Sequence, residues 1–187
     1  MNPFTHLLVT WPMAQKGVNT KKDRLLITLS GIIPDIDGLG ILGGVFYDNK
    51  IIGLELWSTY HHVLSHNLPF CILISSLFAA ISQAQLRVFA LTTLCFHIHL
   101  FCDLVGSRGP DNYQWPIPYL WPFYNQPQLV WQGQWQLNTW PNMLITVFFL
   151  GFILYMIWKK GESPIGLLFD GVDKKMTIAL RGRFGTP

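Results

Sequence analysis

The chain reads as all-α: a helical integral membrane protein with about three to four apolar helices and a His/Asp metal site at one membrane face. Three observations carry that expectation. Half of the 187 residues are hydrophobic and only 12% are charged, against about 25% in an ordinary soluble domain. Several apolar runs approach the roughly 20 helical residues that a bilayer requires. All six histidines, His6, His61, His62, His66, His97 and His99, fall in or near polar interruptions of those runs, and ionisable groups at membrane depth are expensive and mark function.

The N-terminal stretch MNPFTHLLVTW lacks the basic n-region and small-residue cleavage site of a signal peptide, so insertion is expected from internal segments. Residues 25–47 are hydrophobic on average but broken by Pro34, Asp35, Asp37 and several glycines. They predict a short buried helix, a polar turn and a re-entrant or second helical piece. Leu68 to Ala84 carries no charge and would be about 25 Å long as a helix. Val88 to Val105 is as apolar apart from its polar end, and the residues around Gln83 to Arg87 fit a tight turn. The two segments therefore form an antiparallel hairpin.

Between Gly106 and Pro141 the composition shifts to Trp, Pro, Gln and Asn. Trp115, Trp121, Trp131, Trp135 and Trp140 favour the headgroup zone, which puts this loop on a membrane surface. Met143 to Trp158 is the third apolar run and is closed by Lys159 and Lys160, a cationic anchor at a bilayer boundary. The reading divides the chain into a helical membrane domain, 1–160, and a short basic tail, 161–187. Cys71, Cys95 and Cys102 lie inside apolar runs, where inert buried thiols are the rule. The net charge of +3 is too small and dispersed for a nucleic-acid partner. The expected partners are the lipid bilayer and a small-molecule or lipid substrate.

Arg87, Lys159, Lys160 and the tail's four basic residues fall on one side if three helices span, whereas the Trp-rich loop has Arg108 as its only cation. The positive-inside rule then puts the tail and hairpin turn in the cytoplasm. Lys16, Lys21, Lys22 and Arg24 are not placed by this count.

On a helix, residues four apart share a face, so His99 and Asp103 project together while His97 turns away. His62 and His66 make the same pair, with His61 one position further round. The open end of the hairpin brings this cluster beside His99 and Asp103. Asp35 and Asp37, flanked by Ile33, Ile36 and Leu39, would repel each other in apolar surroundings without a cation or donor between them. A metal serves all these groups. Imidazole with carboxylate suits zinc, and also manganese or iron. The donors exceed the needs of one tetrahedral ion, so two or more divalent ions are expected. Such a site activates water for hydrolysis of an ester or phosphoester, with Asp35, Asp37 or Asp103 acting as base and Arg108 holding an anionic group. Ser65 beside His66 lacks the glycine-flanked elbow of a serine nucleophile.

The series THLL at 5–8, PDID at 34–37, HHVLSHNL at 61–68, HIHLFCDLVGSRG at 97–109 and LWPF at 120–123 resembles the YdjM-like family of bacterial inner-membrane, metal-dependent hydrolases. Members show an N-terminal Thr-His, a Pro-Asp-x-Asp, a His-Arg-x-x-Thr-His-Ser and a His-x-x-x-Asp. The resemblance implies that His6, Asp35, Asp37, His61, His66, His99 and Asp103 are metal ligands or their immediate neighbours. His62 stands where that family has Arg, Ser65 where it has Thr and Asn67 where it has Ser. The family pattern pairs His61 with His66, helical spacing pairs His62 with His66, and both stay open. The His-x-x-x-Asp element is also similar to that of bacterial zinc-dependent phospholipases C, which implies a helical fold and a phosphoester. Two rivals remain beside the hydrolase: a metal carrier or sensor without turnover, and an assembly factor whose polar groups only tie helices together.

Overall fold

The computed structural model describes residues 1–109, 112–126 and 128–187. Its regular elements are helical: α1 (Pro3–Ala14), α2 (Lys21–Ser30), a 3₁₀ segment (Ile33–Leu42), α3 (Gly43–Phe46), α4 (Lys50–Tyr60), α5 (Leu68–Ala80), α6 (Gln85–Gly106), α7 (Trp140–Lys160), a 3₁₀ turn (Ile165–Leu167) and α8 (Asp170–Phe184). Among the described residues there is no strand. Two isolated bridges, Arg108 with Gln136 and Ile117 with Leu129, pin the Trp-rich loop.

Among the described residues, two helices are long and apolar enough to cross a membrane, α6 with 22 residues and α7 with 21, each about 32 Å at 1.5 Å per residue. α5 is apolar but has only 13 residues, or about 20 Å. The run expected to continue to Ala84 stops at Ala80, and beyond it the Ser82 hydroxyl accepts from the Ala84 amide, closing a turn instead of another helical one. α2 and the segment after it, to Phe46, are bent by 62° at their break and together are long enough to make a third span.

Local chemistry sets the boundaries. The side chains of Asn2, Thr20 and Asn67 accept from the amides of Thr5, Asp23 and Phe70, capping α1, α2 and α5, each satisfying one orphan donor of a first turn. Gly161, at φ +72°, ends α7 with its amide on the Ile157 carbonyl, a left-handed stop that glycine makes without a Cβ penalty.

α6 is the central helix. Val88 and Cys95 bury against Ala14, Val18 and Ile27 of the α1–α2 hairpin, while Phe96 and Leu100 bury against Cys71 of α5 and Ile117 of the loop. α1 turns Leu8 and Trp11 to Ile153, Met156 and Ile157 of α7. The segment expected as a tail also folds: Met176 and Leu180 of α8 pack on that last cluster, and Arg181 donates to the carbonyls of Trp158 and Lys159.

Two of the cations that the sequence left unplaced, Lys22 and Arg24, lie at the same end as the α5–α6 turn. Lys22 donates to the Ile81 carbonyl at 2.7 Å, Arg87 to that of Gly17 at 3.3 Å, and Arg24 to Glu162 at 3.0 Å. One end of the bundle is therefore basic, and Arg108 lies at the other. Residues 33–60 form an arm that folds mainly on itself. A Cβ on Gly53 would stand 2.6 Å from the Ile41 carbonyl oxygen, so glycine is what lets its two limbs approach.

Candidate metal centre

The centre is built where α6, α1, the start of the arm and the 61–67 segment meet. His99 and Asp103 share one buried face of α6. His97 points to the other side, between the Thr93 carbonyl and the Tyr119 hydroxyl, at 2.7 Å from each. α1 supplies His6, whose ring stacks on that of His99 with centroids 3.8 Å apart.

Hydrogen bonds fix which nitrogen of each ring is free. His99 Nδ1 lies 2.8 Å from the Gly31 carbonyl oxygen, which only accepts, so Nδ1 carries the proton and Nε2 presents its lone pair inward. His66 Nδ1 lies 3.0 Å from Asp37 Oδ2, which directs its Nε2 inward in the same way. The two Nε2 atoms then face each other at 3.1 Å, an arrangement that requires positive charge between two lone pairs. Burial alone would push the His66 imidazole down, but the hydrogen bonds and charges of Asp103 and Asp37 carry it up to about 9. A divalent cation bound here would supply that charge instead of a proton. His62, by contrast, is pushed well down by burial and by the neighbouring His66.

Among the described residues, two sets of donors converge closely enough to hold an ion: His6, Asp35, His99 and Asp103, and a second set of His62, His66 and Asp103. Asp103 belongs to both. Its Oδ2 stands 2.9 Å from His99 Nε2 and 3.4 Å from His66 Nε2, and its Oδ1 takes His6 Nε2 at 3.1 Å together with the Ser107 hydroxyl and the Met1 amino group. The residues fit a cation on a further observation. His6 Nδ1, Asp35 Oδ2 and His62 Nδ1 are all buried without a hydrogen-bond partner, although buried polar atoms almost always have one.

Asp37 stands apart from both sets. Its Oδ1 meets His61 Nδ1 at 2.9 Å, and its Oδ2 takes His66 Nδ1 and the Ser65 amide. His61 is likewise outside the two sets and lies on the open side. His62 is turned inward by a left-handed backbone, φ +68°, a conformation that costs a non-glycine residue roughly 1–2 kcal/mol. A cavity of about 500 Å³ adjoins the centre, with His61, His62, Ser107, Arg108, Trp115 and Leu137 in its wall. Arg108 donates to the Gln132 carbonyl and keeps a buried Nε without a hydrogen-bond partner.

Sequence reasoning missed Gly31, Ser107 and Gln134. A Cβ on Gly31 would stand 2.1 Å from Thr10 Oγ1, so only glycine lets α2 deliver its carbonyl to His99. The signal was a glycine between a helix and the Pro-Asp turn. Gln134 donates to the Asp103 carbonyl at 2.9 Å across a long loop, a contact no local pattern announces.

The chain matches the family described as YdjM inner membrane protein over residues 1–170. No curated protein and no solved structure matches it.

Proposed function

We propose that this chain, which belongs to the YdjM inner membrane protein family, is a membrane-bound metal-dependent hydrolase acting on an ester or phosphoester. One observation carries the reading: a buried carboxylate, Asp103, is common to two converging donor sets, beside a cavity large enough for a small ligand. A divalent metal held here, zinc by the donor chemistry, with manganese and iron as the other candidates, would lower the pKa of a water and stabilise a developing oxyanion.

The chain's own residues divide the remaining work. His6, Asp35, His99 and Asp103 hold one ion, and His62, His66 and Asp103 a second. Asp37 is an orienting group, because both of its oxygens are spent on His61, His66 and Ser65, and outer partners of this kind tune ligand basicity. Of the three carboxylates, Asp35 is the best placed as general base, having an oxygen without a partner and some exposure. Arg108 holds an anionic group of the substrate at the cavity wall. The chain crosses the inner membrane more than once with its basic end, including α8, in the cytoplasm. Full burial of His66, His99 and Asp103 favours the rival of a closed metal carrier or sensor, against which stands the open cavity at His61 and His62.

The test is metal content by elemental mass spectrometry on detergent-purified protein, wild type against His99→Ala/Asp103→Ala, with turnover of nitrophenyl esters and phosphoesters. Two or more equivalents in the wild type, lost together with turnover in the variant, support the hydrolase. Metal without turnover of any ester supports the carrier, and no metal after reconstitution removes the basis for both.

A further inference from the structure

The depth of the metal centre and the surface around it bear on where its substrate comes from. Along α6, His99 lies 12 residues and Asp103 16 residues beyond Arg87, or about 18 and 24 Å from the basic end. The hydrocarbon core is about 30 Å thick. The centre is therefore far across the bilayer from the cations, yet still short of the opposite interface. Positive charge stays on the cytoplasmic side, so the centre belongs to the other leaflet.

The arm of residues 33–60 is attached at both ends to the centre. Asp37, on its first limb, binds His61 and His66 just past its second, and Ser65 donates to the Pro34 carbonyl. The arm exposes Leu39, Leu42, Val45, Phe46, Ile51 and Leu54, Val45 at 76% and Phe46 at 83%, with Asp48, Lys50 and Glu55 also exposed near its tip and on its second limb. Exposed apolar side chains in this number mark contact with lipid or a partner, and the second limb ends at Tyr60, directly before His61 and His62 of the cavity wall. The cavity of about 500 Å³ suits a ligand of headgroup size. Acyl chains would have to remain outside, against apolar protein.

Resting on the metal-centre reading above, we infer that the centre opens to the outer leaflet of the inner membrane and takes the ester-bearing headgroup of a lipid in that leaflet, which approaches sideways along the apolar arm. The arm supplies the surface for the acyl chains. Trp115, Arg108 and the two histidines receive the polar part.

Two readouts that need no turnover test this in the full-length protein. Asn138 lines the cavity and is exposed, whereas Cys71, Cys95 and Cys102 are buried, so Asn138→Cys provides a selective label. A membrane-impermeant maleimide should react with Cys-substituted protein in intact spheroplasts, and reaction only after lysis would overturn the leaflet assignment. A photoreactive maleimide at the same position, irradiated in vesicles of phosphatidylethanolamine and phosphatidylglycerol, should yield a phospholipid adduct. Val45→Ser/Phe46→Ser on the arm should cut that yield at least fivefold with metal content retained. Leu73→Ser/Leu77→Ser on the exposed side of α5 should leave it unchanged. An equal yield in the arm variant, an equal fall in the α5 variant, or no phospholipid adduct at all would sink the route. Outward labelling and arm-dependent adducts without hydrolysis would instead sink the hydrolase reading alone.

Discussion

α6 and α7 are nearly the same length and comparably apolar, yet 44% of the α6 span is buried against 22% of the α7 span. α7 turns Met143, Leu144, Val147, Phe148 and Leu154 outward and buries Ile153, Met156 and Ile157 on one side. α6 buries residues on several faces, and its His99 and Asp103 lie where α1, α2 and the 61–67 segment converge. Hydropathy alone makes the two helices equivalent. Their polar interruptions separate them: a helix that carries His and Asp within an apolar run must be surrounded, whereas one without them can serve as a wall.

The contrast can be broken most completely at Asp103. Asp103→Asn removes the carboxylate common to both donor sets and should abolish binding of every metal equivalent, read by elemental mass spectrometry. Gly31→Ala should come next. The added Cβ meets Thr10 and moves the carbonyl that orients His99, so metal affinity should fall about 10–100-fold, the usual effect of losing an outer partner, in a competition titration with a chelating dye. Asn142 is the one buried polar residue of α7. It donates to the Gly106 and Leu137 carbonyls and accepts from Trp135 Nε1, tying α7 to the end of α6. Asn142→Ala should cost about 1–3 kcal/mol through the partners left unsatisfied, measured by thermal unfolding in detergent with metal stoichiometry unchanged. Phe148→Leu on the outer face should change stability by less than about 0.5 kcal/mol, and a larger loss would mean that this face is covered by protein.

Helices and their order could be read from apolar runs and turn residues, and the meeting of His99, Asp103 and His66 followed from four-residue spacing plus one hairpin. What could not be read were facts set by tertiary packing. Helix α5 stops at Ala80, four residues short of the end of its apolar run, and the chain then turns locally at Ser82. Asp35 and Asp37 are identical in type and only two positions apart, but the 3₁₀ geometry sends one toward the α6 donors and the other toward His61 and His66. That His62 and not His61 turns toward His66 and Asp103 goes with a left-handed backbone at His62 that no periodicity contains. Folding of residues 161–187 depended on an apolar seat offered by α1 and α7.

The converging donors also have a topological meaning. His66 and Asp103 are 37 positions apart and His6 and Asp103 are 97 apart, yet their donor atoms meet at 3.4 and 3.1 Å. An ion joining them acts as a reversible cross-link that closes two nested chain loops, and the entropy removed from the unfolded chain grows with the logarithm of loop length. Metal would then act as a staple holding the N-terminal helix and the arm to the central hairpin, and chelation should loosen α1 and the arm before it loosens the α5–α6 pair.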